Sequence, residues 1–135
     1  EDSEKKDFLK GAKIAYENII TDFALGNLKS VKILLGEKVF DQFNNAIQER
    51  EKKGLKSETT FIGINSAVIK DHEQTNNFVE VTVDFVSEII SCIKDKEEKI
   101  LSGDSQKIKK VFDTWKFSKD LRSNNPNWLL VDTQI

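Results

Sequence analysis

The residue types that most often carry out chemistry are scarce in this chain. Its 135 residues include one His, one Cys and one Tyr. His72 lies in the polar stretch 70–74, which predicts a surface turn between two strands, and Cys92 lies near a predicted strand end, where a thiol packs as a small hydrophobe. There is no G-x-S-x-G, no glycine-rich phosphate loop and no H-E-x-x-H. The sequence therefore predicts no metal site, no cofactor and no catalytic nucleophile.

Asp113 is the best candidate for a general acid or base. It shares one face of a predicted strand with Trp115 and Phe117, which places it beside an apolar cavity. Tyr16, on the inner side of the first predicted helix, is its candidate partner, and the pair would suit an isomerase or a dehydratase. The structural alternative is that Asp113 lies at a rim or pairs with Arg122, while Tyr16 fills the core.

The charge distribution argues against a nucleic-acid binder. The net charge is −2, and Glu80, Asp84 and Glu88 recur at every fourth position on the polar face of a predicted strand. Their ends lie too far apart for one cation, so they predict a solubilising outer face. No apolar run approaches the ~20 residues that a membrane-spanning helix needs.

The composition also bears on the origin of the chain. Nineteen Lys stand against two Arg, and Ile and Asn are plentiful, which is typical of an AT-rich genome. The sequence begins with Glu1, so we expect a processed or excised piece of a longer protein.

The first third of the chain is predicted to be helical. Apolar residues recur at steps of three and four from Phe8 to Phe23, and Gly26 ends this helix. A short second helix is expected over 27–35 and a third over 37–53.

The remainder is predicted to form strands at 61–69, 78–93, 99–101, 108–119 and 128–133. The alternation is clearest from Val79 to Phe85. The strand at 78–93 is unusually long, so we expect a bulge near 87–90, where the alternation slips.

Helices followed by strands with short links predict an α+β domain. We expect one domain over 1–135, helical over 1–54 and sheet over 55–135, in which the N-terminal helices cover a curved, mostly antiparallel sheet of four to five strands. Such a cone leaves room for an apolar pocket between helices and sheet. The residues predicted to line it are Tyr16, Phe23, Val81, Val83, Phe85, Trp115 and Phe117.

The N-terminal helix mixes lysines with apolar residues. This pattern is typical of a helix that lies on an anionic membrane, with lysine stems extended to the headgroups and apolar side chains immersed. The predicted contact residues are Lys6, Phe8, Leu9, Lys10 and Lys13. Interleaved acidic residues weaken the pattern, and the alternative is an ordinary helix that packs on a core.

The C-terminal third resembles the signature of the Tim44-like domain family, which comprises the C-terminal domain of a mitochondrial inner-membrane translocase subunit and its bacterial relatives. The resemblance rests on WKFSKDLRS at 115–123 and NPNWLLVDT at 125–133. FLKGAK at 8–13, AYE at 15–17 and the segment 40–50 resemble the family's N-terminal helices, and VTVDFVSE at 81–88 resembles its long strand. The turn after Cys92 departs from the pattern, since it has DKE at 95–97 where relatives often have a glycine.

The resemblance implies a nuclear-transport-factor-2-like (NTF2-like) cone and a non-catalytic role in protein translocation or tethering at an inner membrane. It further implies peripheral attachment, or anchoring by a missing N-terminal segment, and the AT-rich composition favours a bacterial over a mitochondrial member of the family. The implied partners are an anionic, cardiolipin-like lipid, translocase subunits or an unfolded preprotein, and an Hsp70-type chaperone, with lipid or polypeptide in the pocket. Two alternatives remain open at this point: an isomerase or dehydratase on the same cone, and a protein–protein assembly module without lipid contact.

Overall fold

The apolar stripe of the N-terminal segment forms one long helix. In a computed structural model of the chain, which describes residues 2–133, helix α1 spans Asp2–Leu25. Its buried residues Ala12, Tyr16 and Ile19 are spaced by four and three positions, so they lie on one side of the helix. The helix ends at Gly26, whose φ of 79° is the left-handed conformation that glycine adopts without strain.

The segment between the helices differs from the expectation. The short helix predicted over 27–35 is a single 3-10 turn, Lys32–Leu34, and helix α2 then spans Glu37–Lys52. Leu35 forms a parallel bridge with Leu130, and the Gly36 amide donates to the Leu130 carbonyl at 2.8 Å. These contacts hold Leu35 and Gly36 extended against the sheet and end the 3-10 turn, because the Gly36 amide is bonded to β5 rather than to the preceding turn.

All ladders among the described strands are antiparallel. The strands are β1 (Lys56–Thr75), β2 (Phe78–Lys94), β3 (Ile100–Gly103), β4 (Lys109–Asp120) and β5 (Leu129–Asp132). Their order is β1-β2-β4-β5, with β3 paired to β2 beside β4. The architecture confirms the predicted α+β class, with two helices packed on a mostly antiparallel five-stranded open sheet, as in an NTF2-like cone.

Strand β1 is much longer than predicted, and the turn expected at 70–74 is wrong. His72 lies within β1 and pairs with Val81, while the hairpin turn falls at Asn76, whose φ is 49°. The residues at 70–75 are polar, and a polar stretch predicts a turn. They lie in the sheet because their cross-strand partners in β2 hold them there, which their own hydrophobicity does not indicate.

The irregularity expected near 87–90 is present, but the partner strand carries it. The β1–β2 register shifts between Phe61 and Gly63, between Ile64 and Ser66, and again between Ile69 and Asp71. In each case the extra residue belongs to β1, whereas β2 keeps an unbroken register with β4 from Phe78 to Ile89. Bulges increase the local bend and twist of a strand, so β1 curves while β2 remains regular.

The core lies between α1 and the inner face of the sheet. Tyr16 is at its centre, stacked on Phe85 with ring centroids 4.3 Å apart and tilted against Trp115 at 4.6 Å. Val39 and Ile47 bury one side of α2, and Leu130 brings β5 into the same cluster. One continuous core therefore joins both helices to the sheet.

Candidate functional site

The residues predicted to line a pocket form the solid centre of the core. Six of them are at most 4 % exposed: Tyr16, Val81, Val83, Phe85, Trp115 and Phe117. The seventh, Phe23, is half-buried at the far end of α1 against Phe43, with ring centroids 5.0 Å apart. The structure thus brings six of the seven together, and their own side chains fill the space between them. Two of the six, Val81 and Phe117, also border the open cavities described below.

A polar network crosses this core. The Tyr16 hydroxyl donates to Asp113 Oδ2 at 2.6 Å, and Ser87 Oγ lies 2.9 Å from the Tyr16 oxygen. Since the single tyrosine proton goes to the carboxylate, the Ser87 hydroxyl donates to the tyrosine oxygen. Burial raises the pKa of Tyr16 far above its usual value, and the hydrogen bond to Asp113 raises it further. Tyr16 therefore remains a protonated donor.

The network joins Tyr16 and Asp113, the two residues considered for acid–base chemistry, but away from the open cavities. Asp113 is bonded to Tyr16 and Ser87 is buried, and none of these three residues lines either of the two cavities described below. Arg122 is not a partner of Asp113, because its Nε donates to Asp120 Oδ1 at 3.0 Å. The arrangement ties α1 to β2 and β4 through one hydroxyl.

The open space lies at one end of the molecule, beside the first turns of α1. Two cavities of about 460 and 740 Å³ share Glu4, Phe8 and Trp128, and we call the two together the end groove. Its floor and walls come from α1, from the adjoining ends of β1, β2 and β4, and from the segment before β5. The apolar lining consists of Phe8, Gly11, Ala12, Ala15, Leu34, Ile69, Val79, Val81, Phe117, Leu121, Pro126 and Trp128.

Three aromatic rings build the groove. Phe8 packs edge-on against Phe117, with centroids 5.9 Å apart, and against Trp128 at 4.8 Å. Trp128 follows the bend at Pro126 and is only half-buried, so its ring covers the core on one side and borders the groove on the other. Edge-on aromatic contacts thus join the helix to the end of the sheet and leave the groove open beside them.

Charged side chains surround the apolar floor. Lys5, Lys70, His72 and Lys119 line the larger cavity, together with Glu4 and Asp71, and Asp7 lines the smaller one. His72 and Lys119 share the inner face, since their cross-strand partners are the inward-facing Val81 and Val79. An apolar floor with a mixed, partly basic rim can hold an amphipathic chain.

The residues predicted to touch a membrane divide between two environments. Phe8 and Leu9 are half-buried and pack against the core, whereas Lys6, Lys10 and Lys13 are exposed. Spacings of four and three place these lysines in one stripe on the solvent side of α1. Ile14, which is 56 % exposed, lies beside that stripe.

Sequence reasoning missed the groove residues that come from several elements. Trp128 was absent from the predicted pocket set, although a tryptophan directly after an N-P-N turn is a signal for a partly covered ring. Glu4, Asp7 and Gly11 lie three or four positions from Phe8 or from one another, as does Ala15 from Gly11. This spacing places them on one side of a helix, so the sequence does contain a signal for this part of the groove. The contributions of His72 and Lys119 depend on strand register, which the sequence does not reveal.

Comparisons with known proteins agree with this architecture. The family model described as "Tim44-like domain" matches residues 2–135. The mitochondrial import inner membrane translocase subunit TIM44 of Rattus norvegicus is 22 % identical over 117 residues, and that of Mus musculus is 21 % identical. In both cases the match covers 85 % of this chain but only 26 % of the relative, so the chain spans about a quarter of the length of these proteins.

One solved structure shows the same fold. The intermembrane space region of the chloroplast protein ARC6 superposes with a TM-score of 0.52 at 12 % identity, covering 90 % of this chain and 94 % of that one. Among residues 2–133, no helix is long and apolar enough to cross a membrane. The family model spans nearly the entire sequence, and the chain belongs to the Tim44-like domain family.

Proposed function

We propose that this chain is a non-catalytic module that assists protein translocation or tethering at the surface of an inner membrane. Its relatives are subunits of an inner-membrane import translocase, and the fold offers two surfaces suited to such a task. One is the lysine stripe of α1, and the other is the end groove. The observation that carries the proposal is the open apolar groove in a member of this family.

The lysine stripe is the proposed contact with anionic, cardiolipin-like lipid. Lys6, Lys10 and Lys13 present three exposed cations on one side of the helix, with Ile14 beside them. Because Phe8 and Leu9 are turned toward the protein, this contact is electrostatic rather than an insertion of the aromatic ring. Each lysine near an anionic surface contributes about 1 kcal/mol of binding free energy.

Replacing the stripe tests the lipid contact. The triple change Lys6→Gln, Lys10→Gln and Lys13→Gln should lower the affinity for cardiolipin-containing vesicles by about 100-fold, because it removes three contacts of about 1 kcal/mol each. Flotation of the protein with the vesicles measures this affinity. The matched control replaces three other exposed lysines: Lys29, Lys38 and Lys52. Absence of wild-type flotation at low salt, or an equal loss in the control, would refute the contact.

The end groove is the proposed site for an acyl chain or an apolar stretch of unfolded polypeptide. Gly11 lines it, and a Cβ at that position meets no atom within 4 Å, so Gly11→Leu adds a side chain there without displacing the core. The exchange also favours the helix, since glycine is the weaker helix former. The variant should therefore remain folded with an obstructed groove.

Trp128 reports on occupancy. In a Trp115→Phe background it is the single tryptophan, and a brominated fatty acid or a brominated apolar peptide bound in the groove should quench its fluorescence. Gly11→Leu should abolish quenching by a probe in the smaller cavity, which Gly11 lines, whereas Asn18→Leu, at an exposed position of α1 outside the groove, should leave it unchanged. Quenching that persists in Gly11→Leu would exclude the smaller cavity as the binding site, because Trp128 also lines the larger cavity and Gly11 does not.

A further inference from the structure

The outer face of the sheet, which points away from α1, has an apolar centre. Ser87 and Phe85 are buried on the inner side, so the alternate residues of β2 point outward, and Val86 among them pairs with Phe112 of β4. Phe112 is 73 % exposed, and Val68 on the neighbouring strand β1 is 57 % exposed. These side chains form an apolar track across three strands.

Charged residues flank this track in two rows of opposite sign. The outward residues of β2 include Glu80, Asp84 and Glu88, and those of β4 include Lys110 and Lys116. Glu88 is the direct cross-strand partner of Lys110, and Lys116 Nζ lies 3.9 Å from Glu80 Oε1. The acidic row and the basic row therefore lie side by side, one strand apart.

This arrangement is self-complementary under a two-fold rotation. The axis runs parallel to the strands, midway between the two sheets and between β2 and β4. It places β2 of one copy over β4 of the other and leaves the position of each residue along the strand direction unchanged. Glu88 then faces Lys110 of the second copy, and Val86 faces its Phe112. Such a rotation makes an isologous interface, in which each contact occurs twice.

We propose that the outer face of the sheet binds a second copy of this chain, with the two sheets face to face and the strands aligned. The charge rows select this orientation, because a two-fold axis across the strands would instead set the acidic row of β2 over itself. Aligned sheets are also one of the two ways in which sheets pack.

The size of the face indicates a weak dimer. About an axis between β2 and β4 the face shared by the two copies consists of these two strands, and ten residues of each span roughly 33 by 10 Å, on the order of 300 Å² per copy. That area lies below the range of stable interfaces, so the proposed dimer is a weak one that forms at high protein concentration. The helices and the end groove remain uncovered in the dimer.

Sedimentation equilibrium of the chain up to about 1 mM tests the proposal, since a weak dimer is populated only at high protein concentration. The wild type should form dimers, and Phe112→Ser should raise the dissociation constant at least tenfold. Ile33→Ser, at a residue 64 % exposed on the helical side, is the matched control and should leave it unchanged. A wild type that stays monomeric overturns the proposal.

Charge reversal identifies the orientation. Glu88→Lys alone and Lys110→Glu alone each set like charges opposite one another in the homodimer, so each should be monomeric. An equal mixture of the two variants restores both contacts between copies while leaving the clash within each copy in place. Heterodimers in the mixture therefore support the face-to-face arrangement, and a mixture that remains monomeric overturns it.

Discussion

Tyr16 links the three main parts of the fold through a single hydroxyl. It is fully buried, stacks on Phe85, donates to Asp113 and accepts from Ser87. A polar network of this kind is stabilising only while every member is satisfied, because a buried group without a partner costs about 1–3 kcal/mol. Its protonation state is thus part of the folded structure.

Stability should consequently fall in alkaline solution. The unfolded tyrosine has a pKa near 10, and burial raises the pKa of Tyr16 in the folded state, so its contribution is complete below about pH 10 and is lost as the pH rises above that value. The loss should approach about 1.4 kcal/mol per pH unit for one proton. Tyr16→Phe should lack this part of the pH dependence.

Because Tyr16 is the single tyrosine, the tyrosinate absorption band reports on it alone. In an alkaline titration the band should appear together with the loss of helical circular dichroism, since ionisation requires unfolding. A band that rises with a midpoint near pH 10 while the dichroism stays native would contradict the buried network.

At the scale of elements, Arg50 fixes α2 to the C-terminal end of α1. Its Nη2 donates to the carbonyls of Phe23 at 2.9 Å and Ala24 at 3.2 Å, and the guanidinium lies 5.4 Å from the Phe23 ring. Burial lowers the pKa of Arg50. The carbonyls at a helix end carry partial negative charge, so a cation there stabilises the helix.

Arg50→Lys should lower the free energy of unfolding by about 1 kcal/mol, because an ammonium on a flexible stem does not reproduce two aligned bonds and a ring contact. Urea unfolding followed by circular dichroism measures this. Arg122→Lys, at the only other arginine, is the matched control. Arg122 also makes two bonds, to Asp120, and lies over the Phe78 ring, but its side chain is exposed, which predicts a smaller change. Equal losses at the two positions would contradict the role given to Arg50.

The elements differ in how far the sequence determines them. The spacing of apolar residues alone predicts four elements, α1, α2, β2 and β4, because each presents one apolar face to the core. The length of β1 was not predictable, since its last residues are held by pairing with β2. The end groove was not predictable for the same reason, because Phe8 of α1, Val79 of β2 and Trp128 of the segment before β5 meet only in the folded chain.

At the scale of the whole molecule, the domain combines a filled interior with one open end. The rings of Tyr16, Phe85 and Trp115 occupy the centre, whereas Phe8 and Trp128 stand between that centre and the groove. A fold of this kind can exchange a ligand at the open end without disturbing the packing that stabilises it. Truncating a side chain should therefore lower the free energy of unfolding more in the centre of the core than beside the groove.

Phe85→Ala and Trp115→Ala should each lower the free energy of unfolding by about 3–5 kcal/mol, since the side chains are 1 % and 3 % exposed and leave a cavity. Trp128→Ala should cost distinctly less, because its ring already borders open space and its removal enlarges the groove rather than creating a void. Denaturant unfolding of the three variants makes the comparison. A small loss for Phe85→Ala with a large one for Trp128→Ala would place the cavity in the centre and the packing at the end, the reverse of the arrangement described.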